Sequence, residues 1–161
     1  MVGDVFGGFT VAEAKEWLKA RLDVGAKCPV CHQRAQMYRR TINSGMARSL
    51  ISMHLLAPDG GWVRITTQLD ARSREEGKLR YWNLVTERPS DRADGVRSGF
   101  WRVTEAGRRF VLGMRKVPKY AHIYDDRFFK FSGPPITIYD ALGKNFSYVE
   151  LMSGGTVEHG Q

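Results

Sequence analysis

Cys28-Pro-Val-Cys31-His32 is the group of residues in this chain best suited to chemistry. Two cysteines at this spacing can grip one tetrahedral Zn²⁺ with two thiolates, and two further ligands complete such a site. The sequence holds no second cysteine pair. Closure therefore calls on histidine or carboxylate, with His32, His54 and His122 as candidates, or on a second chain. His32 follows Cys31 directly and is poorly placed to chelate beside it, so His54 is the preferred third ligand of a zinc site at Cys28 and Cys31. The same five residues match the C-x-x-C-H attachment signature of c-type haem, which is made outside the cytoplasm. A thioredoxin-like dithiol would follow a strand in a βαβ unit, whereas a helix and a Gly-Ala-Lys turn are expected here. Zinc (or the relic of a zinc site) and ordinary turn cysteines are weighed equally, ahead of haem and redox chemistry.

Other chemical signals are weaker. Asp125-Asp126 with His122 could suggest a metal-dependent nuclease, but adjacent acids point to opposite sides of a strand and more often make a turn. No phosphate-cradling glycine loop, G-x-S-x-G or H-E-x-x-H is present. No catalytic residue is assigned, and an enzyme is not the expectation.

Charge is the second signal. Lysine and arginine number 25 against 17 acids, a net charge of +8. Residues 1–60 hold 8 basic and 5 acidic side chains, residues 61–119 hold 14 and 7, and residues 120–161 hold 3 and 5. A block of this kind makes a field that a polyanion can feel, and the middle third is its source. The bland alternative is a solvated face rich in arginine.

A chain of 161 residues suits one domain or one domain with an appendage. At 42% hydrophobic residues it can bury a core and is too apolar to stay disordered. No apolar run approaches the roughly 18 to 20 residues that span a bilayer, and MVGDVFGGF lacks the regions of a signal peptide. A cytoplasmic protein without a membrane partner is expected.

The elements that position these residues follow from capping and periodicity. Residues 1–9 read as a flexible arm. Thr10 and Glu13 form a capping box that opens a helix over 11–24, with Ala14, Trp17, Leu18 and Leu22 on its apolar stripe and Gly25 at its end. Ser44 caps a helix over 45–57 that buries Met46, Leu50 and Met53, with Ile51, Leu55 and Leu56 as further candidates, and Pro58 closes it. Asp59-Gly60-Gly61 is a turn, and 62–66 alternates as a strand. After a short helical turn over 66–71, Ser73 and Glu76 form a second capping box. It launches a helix over 74–87, with Leu79, Trp82 and Val85 on one side and Arg74 and Lys78 on another. Residues 89–99 form a polar hairpin tip carrying Arg92 and Arg97. Phe100–Val103 is a strand, and Thr104 caps a helix over 105–112. Short aromatic strands are expected over 121–124, 128–131 and 136–139, and a helical or irregular segment over 146–152. The tryptophans at 17, 62, 82 and 101 and Phe128, Phe129 and Phe131 are read mainly as core.

From residue 44 to 104 the order is helix, strand, short helix, capped helix, basic hairpin, strand. Gly99-Phe100-Trp101-Arg102-Val103-Thr104-Glu105-Ala106-Gly107-Arg108-Arg109-Phe110 resembles the last wing strand and following helix of the winged helix-turn-helix superfamily. Leu79-Arg80-Tyr81-Trp82-Asn83-Leu84-Val85 is similar to the end of its recognition helix. The resemblance implies double-stranded DNA as partner and a regulator of transcription or replication, commonly a homodimer. Arg72, Arg74, Lys78 and Arg80 would serve the recognition helix, and Arg92 and Arg97 the wing. Arg64, Arg88 and Arg102 could add phosphate contacts at the edge. Glu75 and Glu76 depart from the pattern, since acids favour a helix N-terminus but oppose phosphates.

The expected fold is α+β: a winged helix-turn-helix core over 44–117, an N-terminal helix and Cys-x-x-Cys knuckle over 10–43, and a C-terminal aromatic β-rich extension over 118–161. A winged-helix module that binds protein, as an adaptor or inhibitor, is the alternative function. A zinc-dependent or redox enzyme ranks below both.

Overall fold

A computed structural model describes residues 8–69 and 73–154. The chain divides into two units, one formed by the residues up to Arg40 with His122–Lys130, the other by Thr41–Ala121 and the residues from Phe131 onward. The fold is α+β, with small antiparallel sheets and several helices. Among the described residues no helix is long and apolar enough to cross a membrane.

The first unit opens with α1 (Val11–Lys19). Thr10 Oγ1 accepts from the Glu13 N–H at 3.1 Å, and Glu13 Oε1 accepts from the Thr10 N–H at 3.3 Å, completing the expected box. The helix stops before the expected residue 24, and the chain turns through to Gly25, which adopts φ +83°. Ala14 and Leu22 are buried, and the Arg21 guanidinium lies 4.0 Å from the centre of the half-buried Trp17 ring. β1 (Ala26–Lys27) then pairs antiparallel with β2 (Arg34–Ala35), and β3 (Tyr38–Arg40) follows. The tip of a later hairpin, β7 (Val117–Tyr124) and β8 (Arg127–Ile136), also belongs to this unit. The three strands are ordered β3-β7-β8. Asp125 and Asp126, at φ +50° and +59°, form its two-residue turn, whose left-handed backbone matches the twist of the strands. These strands run longer than expected. Ile136 ends β8, and residues 137–139 turn into a helix instead of a third aromatic strand.

The second unit is organised around α2 (Ser44–Leu56), which packs against Glu76–Trp82, Phe100–Val103 and the later helices. Asn43, not Ser44, is its cap: Oδ1 accepts from the Met46 N–H at 2.8 Å. Met46, Leu50, Ile51 and Met53 are buried, whereas Leu55 and Leu56 are 39% and 49% exposed and lie outside the core. β4 (Val63–Arg64) and α3 (Ile65–Gln68) follow, both shorter than the sequence pattern suggests. β5 (Val85–Glu87) and β6 (Phe100–Val103) complete an antiparallel sheet of order β4-β6-β5, and Thr104 caps α4 (Glu105–Val111). Thr137 and Asp140 form a capping box on α5 (Ile138–Leu142), and α6 (Tyr148–Met152) docks through Tyr148, whose hydroxyl donates to Val111 O at 2.8 Å.

The expected helix over 74–87 is instead a 3₁₀ helix, Glu76–Trp82. Arg74 is left-handed at φ +66°, so it stands before the helix and shares no helical face with Lys78. The buried residues Glu76, Leu79 and Trp82 recur every three positions, the period at which 3₁₀ side chains eclipse. Asn83, at φ +58°, ends the helix and lets Val85 enter β5.

Candidate nucleic-acid interface

The sheet β4-β6-β5 sorts its side chains by register. Val63 faces Trp101 and Val85 faces Val103, all four buried. Trp101 lies against Gly77, where an added Cβ would come within 3.1 Å of the ring. The alternate residues form the opposite face. Arg64 pairs with Phe100, and the Arg88 N–H donates to Phe100 O at 2.8 Å. The guanidinium groups of Arg64 and Arg88 lie 5.6 and 5.8 Å from the centre of the Phe100 ring. Arg102 lies on the same face two residues along, its guanidinium 4.7 Å from the centre of the Trp62 ring. Three arginines are thus held on aromatic rings over one side of the sheet, at distances where the ring quadrupole attracts a cation.

The loop between β5 and β6 is exposed from Asp91 to Arg97. Its base is pinned by Ser98, whose hydroxyl donates to Arg88 O at 2.6 Å and accepts from the Phe100 N–H at 3.3 Å. Arg92 donates to Asp94 through Nε and Nη2, at 3.2 and 2.7 Å, and this contact, followed by the Val96 N–H, keeps the Asp94 carboxyl below the usual carboxylate range. Arg97 stands 3.9 Å from Glu87. The loop therefore offsets part of its own charge.

The 3₁₀ segment does likewise. Lys78 Nζ lies 2.7 Å from Glu75 Oε1, and Asn43 Nδ2 donates to Glu75 Oε2 at 3.0 Å. Glu76 is buried and accepts from Ser73 Oγ at 3.1 Å. The two acids are thus engaged in holding the segment. Arg80 donates to Gly77 O and to the Tyr81 hydroxyl and lies over the Tyr81 ring. Arg74 is exposed. Arg72 lies outside the described residues.

The arrangement shifts weight onto Arg64, Arg88 and Arg102, which the sequence pattern marks only as edge contacts. The signal was present in the repeated aromatic-x-arginine spacing of Trp62-Val63-Arg64 and Phe100-Trp101-Arg102. Antiparallel pairing sets each arginine opposite the other strand's aromatic. Trp82 and Trp101 are core as expected, but Trp62 is 37% exposed and Phe128, Phe129 and Phe131 are exposed as well.

Beside the sheet, a cleft of about 540 Å³ is lined by residues that include His54, Asp59, Arg102, Glu105 and Arg108. Burial, and after it the Arg108 charge, push the His54 imidazole below its ordinary pKa. Arg108 is itself bound to Glu105 by two hydrogen bonds of 2.9 and 2.8 Å.

Cys28 and Cys31 are both free thiols in the first unit, Cys28 half-buried and Cys31 exposed. His54 belongs to the second unit. Among the described residues no group of three or more His, Cys, Asp or Glu side chains is placed to hold a metal ion. No protein-family model, curated protein or solved structure matches this chain.

Proposed function

We propose that the protein binds double-stranded DNA, with the second unit acting as a winged helix-turn-helix. The order helix, strand, helix, helix, strand, loop, strand supports this reading, as does a sheet in which the last strand lies between the first two. The observation that carries it is the gathering of Arg64, Arg88 and Arg102 on one face of that sheet, with Arg97 on the adjoining loop. Guanidinium groups suit phosphate oxygens in charge and geometry, and the aromatic rings beneath restrain them without neutralising them. Arg74 adds a cation near the 3₁₀ helix. Phosphate contacts of this kind position a protein on a duplex and carry no sequence information by themselves.

The experiment is a salt titration of duplex affinity. Three to five phosphate contacts give a slope of log affinity against log salt of about −3 to −4.5. Arg88→Ala with Arg102→Ala flattens it by about two, whatever the duplex sequence. An unchanged slope in the double variant removes this face from the interface. If the face instead serves an acidic protein partner, the wild-type chain shows no salt-dependent duplex affinity.

A further inference from the structure

The turn carrying Cys28 and Cys31 is arranged around sulfur. β1 and β2 pair Ala26 with Ala35 and Lys27 with Arg34, and the Cys28 N–H closes the hairpin on Gln33 O at 2.7 Å. The His32 N–H donates to Cys28 O at 2.9 Å, with His32 left-handed at φ +63°, which folds residues 28–32 into a tight loop. Within it the Val30 N–H donates to Cys28 Sγ at 3.4 Å. N–H groups aimed at sulfur favour the thiolate, the form that binds metal.

Two thiolates at this spacing fill half of a tetrahedral zinc shell. Cys31 is exposed at the end of the hairpin, so a second, symmetry-related hairpin can reach the same ion and supply the other half. A two-fold axis through the metal makes the two pairs equivalent, the self-complementary arrangement of most homodimers. Charge also favours this closure. A zinc ion with four thiolates carries a net charge of −2, and each hairpin brings an exposed Lys27 next to Cys28 in the chain. Without metal these cations repel a second hairpin; with it they offset the cluster.

We propose that Cys28 and Cys31 form half of a tetrathiolate Zn²⁺ site that a second copy of this chain completes. Each thiol pair releases its protons as it takes up the metal, and the product is a metal-linked dimer. The site lies in the first unit and does not rest on the nucleic-acid reading.

The full chain, reduced, is titrated with Zn²⁺ and, in a parallel sample, with Co²⁺ as a spectroscopic probe, and its mass is followed by light scattering. The expected result is one metal per two chains, a mass that doubles with Zn²⁺ and returns on chelation, and the charge-transfer and ligand-field bands of cobalt bound by four thiolates. Cys31→Ser abolishes all three with an unchanged far-ultraviolet circular dichroism spectrum. If that variant fails to fold, wild-type protein alkylated at its thiols replaces it. One metal per chain, a cobalt spectrum showing nitrogen or oxygen ligands, a mass indifferent to metal, or no metal retained on dialysis each overturns the proposal.

Discussion

The Thr104 hydroxyl donates to Asn83 O at 2.5 Å while accepting from the Gly107 N–H at 2.9 Å, so one side chain both caps α4 and ties it to the turn that ends the 3₁₀ helix. The Thr104 N–H adds a bond to Leu84 O at 3.0 Å. Gly107 completes the clamp: a Cβ there would collide with the Leu84 carbonyl oxygen. The close approach of α4 to the Asn83-Leu84 turn accounts for a threonine followed three residues later by glycine.

Substitutions in this clamp should lower stability by different mechanisms. Thr104→Val loses the cap and leaves the Asn83 carbonyl without this donor, costing about 1 to 2 kcal/mol. Gly107→Ala forces backbone apart and costs about 2 to 4 kcal/mol. Urea unfolding of the three proteins checks both, and a Gly107→Ala midpoint equal to wild type would contradict the packing described here.

Arg92 and Asp94 set up a prediction of opposite sign. Their side chains are 64% and 50% exposed, so the pair adds little to stability. Asp94→Asn releases the Arg92 guanidinium from a carboxylate and leaves unfolding unchanged. In the duplex-DNA titration the variant should bind more tightly at low salt, with a slope steeper by about one. Weaker binding than wild type would show that Arg92 serves the fold of the loop and not a phosphate.

His54 gives a pH dependence. Burial and the Arg108 charge hold its pKa below the ordinary 6.5, so the folded chain binds fewer protons at this site than the unfolded chain. Stability then rises with pH and is lost as pH falls below the unfolded value toward the folded one. His122 acts in the same direction, through burial and then the charges of Lys130 and Arg39, opposed by Asp23. Replacing His54 with glutamine should make the decline in unfolding free energy between about pH 7 and about pH 5 shallower than in wild type. Equal slopes in the two proteins would rule out a neutral, buried His54.

Local signals in the sequence were legible wherever one short-range interaction decides the outcome. The Thr10–Glu13 box, the Thr104 cap and the Asp125-Asp126 turn each depend on residues within a few positions. The 3₁₀ helix is hidden in the sequence because Leu79, Trp82 and Val85, three apart, satisfy an α-helical face and a 3₁₀ face equally well. Val85 in fact lies on a strand, and the left-handed Arg74 and Asn83 bound the helix. The cap of α2 was misplaced by one residue, since Asn43 and Ser44 are both good caps. The arginine face needed the register of β4 on β6, which no window shorter than the span from Trp62 to Arg102 contains.

The first unit takes residues from both sides of Thr41–Ala121 along the chain. During synthesis α1 and the cysteine hairpin leave the ribosome early, yet His122–Lys130 follow only after about 80 further residues, roughly 4 to 16 s at ordinary elongation rates. The N-terminal segment therefore waits, incomplete, while α2 and the β4-β6-β5 sheet emerge. Translation order thus leaves the part that begins first open until the hairpin tip arrives, and the second unit closes after it with the residues from Phe131 onward.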